Sequence, residues 1–403
     1  MRRLRTATTR QLTVIVAAIA ALAASAAIAQ AALTGGGPTP SPKALAGAVL
    51  DAFNAPQPEG VTAKIHFTNN LLPTGSLPGG AASPLASGAD GRLWIQKSGK
   101  FRLELQSDAG DAQIVSDGSR VTVYDASSNT VYRMTLPAAA KDTATPSDHA
   151  DQKLTLDKIN TTLSELAKTW TISGAEPTST AGQPTYTVKI SPKDDGGLLG
   201  AAEVAWDAVR GAPLRAAVYA QGQSQPVLQL EATDVSYDAV PDSAVAIAPP
   251  AGATVNDFSS KDVGGTAKDH AGASKHADVQ GVDAVQRELG FQLSAPAELA
   301  GLPRKDVRLV HLGEQQGALV IYGRGFGAIG VLEKKATPSK PAAADKGGRG
   351  ALRLPEINIG GATGSELATA LGTVVTFERG GVSYVVAGSV PPAAAENAAR
   401  GLQ

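Results

Sequence analysis

The stretch VSDGSRVTVYDASSNTVYRM, Val115 to Met134, decides how the chain is read. It gives a strand from Arg120 to Tyr124, a turn rich in Ser, Asn and Asp, and a second strand ending at Met134. Successive side chains of a strand point to opposite faces, so Val121 and Val123 point one way and Tyr124 the other. In the same way Tyr132 and Met134 share a face that Val131 does not. An ordinary surface hairpin buries one face, whereas both faces are partly apolar here, and the question is what sits on the second.

The same signal recurs on both sides. VTAKIHFT sets Val61, Ala63, Ile65 and Phe67 opposite Thr62, Lys64, His66 and Thr68. GRLWIQ, KFRLELQ and AQIVSD follow, then PTYTVKI, AEVAWD, APLRAAVYA, PVLQLEATDVSY and AVAIAPP, which together predict an antiparallel meander. Two helices are expected. SPKALAGAVLDAF offers Ser41 as N-cap, Pro42 in the first turn and Leu45, Ala48, Val49, Ala52 and Phe53 on one face. LDKINTTLSELAKTW carries Leu156, Ile159, Leu163, Leu166 and Trp170 as a helical stripe. A Gly/Pro/Ser-rich loop from Leu72 to Gly88 reads as a flap, and a polar insertion lies around Ala139 to Asp151.

So long a sheet must curl or close, because a large twisted sheet does not stay flat. The predicted fold class is therefore α+β: a curved antiparallel sheet, an open half-barrel capped by helices, plus a smaller C-terminal α+β domain. Core packing is the bland reading of Phe67, Leu103, Val123, Val188, Ile190, Val204, Leu228 and Leu230. The functional reading adds that the helices leave part of the apolar surface unfilled, forming a pocket for a hydrophobic ligand. Ten buried methylenes would contribute roughly 8 kcal/mol, against association costs of about 4–15 kcal/mol. Two acyl chains would then bind more usefully than one.

Composition narrows the function. The chain has 403 residues with 36 Lys and Arg against 37 Asp and Glu, so no basic field recruits nucleic acid. Aromatics are 4%, too sparse for a base-stacking groove. There is no cysteine, which excludes disulfides, thiolate metal sites, thiol nucleophiles and a lipid-modified N-terminal Cys.

At the N-terminus, Arg2, Arg3, Arg5 and Arg10 precede an Ala-rich apolar run to Leu33, the pattern of an export signal. Small residues at Ala27, Ala29 and Ala31 offer cleavage sites, but the run also approaches the roughly 20 residues that span a bilayer. A cleaved signal and a retained anchor both stay open, with the rest of the chain facing outward in either case. The expected division is 1–33 signal peptide or membrane anchor, 34–41 tether, 42–257 open-barrel domain, 258–281 linker and 282–403 C-terminal domain. In the last, DVRLVHL, GALVIYG, AIGVLEK, LPEINI, TVVTFER and VSYVVAGSV read as strands. They are joined by an Arg379-Gly380-Gly381 hairpin turn, interrupted by a loop from Lys335 to Gly350, and closed by the helix PPAAAENAARGL.

Catalytic signals are weak. His66, His149, His270, His276 and His311 are scattered, and the Asp269, His270, His276, Asp278 group sits in a Gly/Ala-rich linker, so no metal and no cofactor is expected. YGRGFGAIG lacks the following helix that a phosphate-binding Gly-rich loop needs. Asp194, Asp195 and Asp207 near Arg210 read as solvated turn residues, and no nucleophile–base pair assembles. A non-enzyme is the reading.

GRLWIQKSGKFRLELQ, IVSDGSRVTVYDASSNTVYRM, YTVKISPKDD and VAIAPPAGATVND, in this order and spacing, resemble the bacterial lipoprotein carrier-like (LolA/RseB-like fold) family. The likeness spans Ser41 to Asp257 and is strongest to two-domain actinobacterial relatives. It implies an apolar cavity that holds an acyl chain, lipid or lipoprotein without catalysis, in an exported protein of the cell envelope, membrane-associated through the N-terminal segment or by exchange. The family places Trp94 and Lys97 at the cavity mouth. Lys97 stands where the carrier has a functional arginine, which keeps the charge but loses the bidentate geometry. With Phe101, Leu103, Val123, Tyr132 and Met134 these are the candidate ligand-binding residues. The resemblance also implies an alternative, an envelope-stress regulator acting on an anti-sigma-factor-like membrane partner, since the fold is reused in such a regulator.

Overall fold

The computed structural model describes residues 37–72, 84–108, 110–126, 129–135, 154–193, 197–246, 250–258, 279–312, 315–336 and 354–402. The N-terminal run read as an export signal, most of the stretch read as a flap, the polar insertion, Asp194 and Asp195, the stretch read as a linker with His270 and His276, and most of the Pro/Ala/Gly-rich loop lie outside these residues.

The first region runs α1 (Leu45–Asn54), β1 (Gly60–Asn69), α2 (Pro84–Ser87), β2 (Ala89–Gln96), β3 (Phe101–Ser107), β4 (Gly110–Ser116), β5 (Arg120–Asp125) and β6 (Thr130–Thr135). It continues with α3 (Leu156–Leu166), β7 (Trp170–Ile172), β8 (Glu176–Thr180), β9 (Gln183–Pro192), β10 (Leu199–Asp207), β11 (Pro213–Ala220), β12 (Pro226–Ser236), α4 (Asp242–Val245) and β13 (Thr254–Phe258). These strands make one 13-stranded sheet in the order β13-β6-β5-β4-β3-β2-β1-β12-β11-β10-β9-β7, with β8 also on β9. The order has two free ends, so the sheet curls into an open half-barrel and does not close. The alternation in β1 is obeyed: Ala63 and Ile65 are buried while Lys64 and His66 are exposed.

Three local expectations are corrected. Helix α1 begins at Leu45, with Ala44 as its N-cap. Ser41 is drawn off because its carbonyl accepts from Tyr186 Oη at 2.7 Å, and Lys43 bridges to Ala175. The buried positions are accordingly Ala46 and Ala48, and Phe53 is 67% exposed. The stripe on α3 divides: Thr155 caps the helix, Ile159 is buried, Leu156 is exposed and Trp170 belongs to β7. Of AVAIAPP, Ala244 and Val245 belong not to a strand but to the helical turn α4, which Pro241 introduces; after it the chain adds β13 parallel to β6, Val255 opposite Val131. The rest of the sheet is antiparallel among the described residues.

The second region comprises α5 (Val282–Glu288), β14 (Glu298–Leu299), β15 (Leu302–Leu312), β16 (Gln315–Tyr322), β17 (Ile329–Lys335), β18 (Glu356–Ile359), β19 (Ala362–Thr369), β20 (Gly372–Arg379), β21 (Val382–Gly388) and α6 (Pro392–Arg400). Its sheet order is β14-β15-β16-β17-β21-β20-β19-β18. Ala395, Ala398 and Ala399, at helical spacing on α6, are buried with Val375, Val386 and Leu402, their small side chains letting helix and sheet approach closely. Gly380 and Gly381 both have positive φ, as a two-residue hairpin loop between β20 and β21 requires. Arg379 ends β20, lies over Phe377 and donates to the carbonyls of Ile359 and Leu402, tying the chain end to β18.

The two sheets touch through loops. The Leu198 N–H donates to Ser389 O at 3.0 Å, and the Ala370 N–H donates to Leu71 O at 2.7 Å. The Trp170 and Phe326 rings meet edge-on at 5.5 Å, so the Gly-rich β16–β17 loop carries an aromatic contact. Gly197 enables this approach, because a Cβ there would stand 2.2 Å from Ser389 O and its φ is +57°. Gly182, with φ +71°, has nothing within 4 Å of its Cβ position. Gly197→Ala is therefore expected to destabilise the protein by about 2–3 kcal/mol in urea unfolding, and Gly182→Ala by about 1. Equal effects of the two would show that the contact with Ser389 contributes nothing.

Candidate ligand-binding face

Register assigns each side chain of the large sheet to one of two faces. Directly paired residues share a face, and from β1 the row Ala63–Leu93–Leu103–Ile114–Val123–Tyr132 crosses to β6. In the other direction Phe67–Leu230–Ala216–Val204–Val188 reaches β9. These rows are apolar, as strand alternation dictates, and on β4 to β6 the same face also carries Ser116, Asp125 and Thr130.

Its cover is uneven. In the middle, Ala63, Ile65, Leu93, Leu105, Ala112 and Ala232 form a buried cluster on which Leu85 of α2 rests. Towards β9 and β10, α1 lies on the face and α3 packs on α1, with Ala48, Ala175 and Tyr186 buried beside Trp206. Towards β6, Phe101, Leu103, Ile114, Val121, Val123 and Met134 are only half-buried, and Tyr132 is 38% exposed. A half-covered apolar surface of this kind can hold a hydrophobic chain without covalent chemistry.

Of the expected site residues, register brings Phe101, Leu103, Val123, Tyr132 and Met134 onto this one face. It sets Trp94 on the opposite face, paired with Thr62 and Arg102 and stacked by the Arg102 guanidinium at 5.1 Å from its ring centroid. Lys97 sits in the β2–β3 turn and pairs with Glu59, so neither joins the apolar row.

The outer face carries what the sequence reading passed over. On β10 to β12, Arg215 reaches Glu203 at 2.9 Å and donates to Gln229 and Tyr219 at 3.1 Å each, and Gln229 donates to Glu231 at 2.7 Å. Glu231 is wholly buried, and desolvation pushes its pKa up to about 8 despite Arg215. Asp207, expected in a solvated turn, is likewise buried; it accepts from Tyr237 Oη at 2.6 Å and from the N–H groups of Val209 and Arg210. Strand alternation placed these charges outside, and nothing local in the sequence signals that they are covered. His66 stays exposed, paired with Asp90 at 2.7 Å. Among the described residues no group of His, Asp or Glu is placed to hold a metal, and no helix is long and apolar enough to cross a membrane.

Residues 83–194 match the family model described as outer membrane lipoprotein carrier protein LolA. Solved structures similar to the chain include MucB in complex with MucA(peri), at 15% identity over 89% of this chain and 96% of that one, with a TM-score of 0.36. The MucA/MucB complex of Pseudomonas aeruginosa gives 15%, 88%, 94% and 0.35, and a LolA superfamily protein of Nitrosomonas europaea 11%, 51%, 98% and 0.21. No curated protein matches the chain.

Between the ordinary carboxylate pKa of 4.5 and about 8, native Glu231 retains a proton that the unfolded chain has released. Stability should therefore fall as pH rises through this window. Glu231→Gln, which keeps a hydrogen-bonding group beside Gln229 and leaves Glu203 to Arg215, is expected to flatten that fall in urea unfolding curves at pH 5 to 8. An unchanged slope would mean Glu231 is ionised throughout.

Proposed function

We propose that this protein, whose residues 83–194 carry a lipoprotein carrier-like (LolA/RseB-like) domain, is an exported binding protein that holds a lipid, acyl chain or acylated protein on the apolar face of its half-barrel. The observation supporting this is the unbroken apolar row that runs out from under its cover at β5 and β6. The ligand lies along Phe101, Leu103, Val123, Tyr132 and Met134, and binding is non-catalytic. The half-barrel corresponds to residues 42–257, extended through Phe258 by β13, and 282–403 form a second domain.

Displacement of a fluorescent fatty acid from the purified full chain tests the reading. Val123→Asp and Tyr132→Asp are each expected to weaken binding at least about tenfold, since each sets a carboxylate against the chain. Trp94→Ala, on the opposite face, is expected to leave binding unchanged. Absence of fatty-acid binding, or equal loss in all three variants, would overturn the proposal.

A second reading is an envelope-stress regulator with a membrane partner of the anti-sigma-factor kind. The loop contacts at Leu198, Leu71 and Trp170 support it, because they seat a second module directly against the half-barrel. Recovery of a membrane-spanning protein rather than lipoproteins in pulldowns from membranes would favour it.

A further inference from the structure

The outer face of β3 to β6 holds an open cleft of about 620 Å³, lined by Lys100, Val115, Thr122, Arg120 and Arg133, with Asp117 at one side and Asp242 and Val245 of α4 closing the other. The register explains its chemistry. Trp94, Arg102, Val115, Thr122 and Arg133 form one cross-strand row on this face, and Lys100 and Arg120 lie two residues along their strands from Arg102 and Thr122. The sheet therefore gathers its basic residues on the side away from the apolar row.

The acids of the cleft are already engaged: Asp117 is held by its own turn and lies in the field of Arg120, and Asp242 is shared by Gln96 and Lys100. Asp117 accepts from Ser119 Oγ at 2.8 Å and from the N–H groups of Ser119 and Arg120 at 2.8 and 2.7 Å. Asp242 accepts from Gln96 at 3.1 Å and pairs with Lys100 at 3.4 Å. Arg102 is occupied by Glu104, the Trp94 ring and the Ala244 carbonyl. By contrast, among the described residues neither Arg120 nor Arg133 makes a salt bridge or donates a side-chain hydrogen bond. Arg133 is half-buried, and its cross-strand neighbour on β13 is the exposed Asp257, with which it makes no salt bridge.

We propose that this cleft binds a phosphate-bearing small ligand. Its phosphoryl group is held by Arg120 and Arg133, whose planar forks match phosphate oxygens, and its apolar part lies on Val115 and Val245. The volume is that of a small-molecule site. The phosphoryl group could belong to a free phosphorylated compound or to a lipid headgroup, and the site is independent of the apolar face.

The test is calorimetric titration of the purified full chain with inorganic phosphate at constant ionic strength. It is paired with flotation on phosphatidylglycerol-containing vesicles against pure phosphatidylcholine vesicles. Saturable binding to either probe is expected, about tenfold weaker in Arg133→Ala and in Arg120→Ala. Arg133→Lys, which keeps charge but loses the fork, should behave like Arg133→Ala, and Lys305→Ala, at an exposed position of β15, like the unaltered protein. Phosphate binding alone identifies a free ligand, and dependence on phosphatidylglycerol lost in the same variants identifies a headgroup. Val123→Asp should leave phosphate binding intact, so failure of the apolar site and of this one are told apart. If Arg133→Ala loses its circular dichroism spectrum, the exposed Arg120→Ala carries the test. No saturable binding to either probe, binding unaltered in both arginine variants, or equal loss in Lys305→Ala would overturn the proposal.

Discussion

Two-residue alternation, carried from strand to strand by the pairing register, is the constraint on which the rest of this protein depends. A slip of one residue anywhere between β6 and β9 would transfer an entire strand's apolar set to the other face. The pairing of Ala63 with Leu93, Leu103 with Ile114 and Val123 with Tyr132 therefore does more than hold neighbours together. It keeps one surface mainly apolar across the sheet and concentrates charge on the reverse. At one of the register shifts, between Lys64 and Ile65 opposite β12, the apolar row resumes with Ile65 against Ala232. Bulges of this kind raise local twist, in keeping with a sheet that curls rather than lies flat.

The outer face then has to accommodate what alternation puts there. Over β10 to β12 it does so by internal compensation, with Arg215 shared among Glu203, Glu231, Gln229 and Tyr219. Such a network stabilises little by itself, since desolvation offsets much of the attraction, but removal of one member leaves a buried charge unpaired. Over β3 to β6 compensation is incomplete: Arg102 has Glu104 and Trp94, while Arg120 and Arg133 remain open to the cleft. One sheet thus carries a buried charged network at one side and an open basic cleft at the other.

Legibility in the sequence followed the same division. The curved sheet, the second α+β region and the apolar membership of Phe101, Leu103, Val123, Tyr132 and Met134 could all be read, because they are consequences of period-two patterning. Trp94 was named from family position, and parity counted from Leu93 and Ile95 assigns it to the other face. Helix α4 and strand β13 were missed for a different reason. AVAIAPP is apolar enough for a strand, but its Ala244 and Val245 lie in the turn that Pro241 introduces, and the pairing with β6 falls to Thr254–Phe258. The burial of Glu231 and Asp207 has no local signature, since it depends on segments remote in sequence, Tyr237 for Asp207 and Arg215 for Glu231.

The distribution of cover across the apolar face bears on how the two regions can influence each other. Helices α1 and α3 serve the β9–β10 side, α2 serves the middle, and the half-covered surface is left at β5 and β6. The contacts to the second sheet come from the opposite stretch, at Leu71 after β1, Trp170 of β7 and Leu198 before β10. A ligand on Val123 and Tyr132 and a partner on the second sheet would therefore not compete for the same groups. Among the described residues, the strand ladder from β5 through β3 and β1 to β12 and β10 connects the two places. A hydrogen-bonded sheet with a close-packed centre at Ile65, Leu105 and Ala232 transmits displacement well, because such packing does not deform continuously.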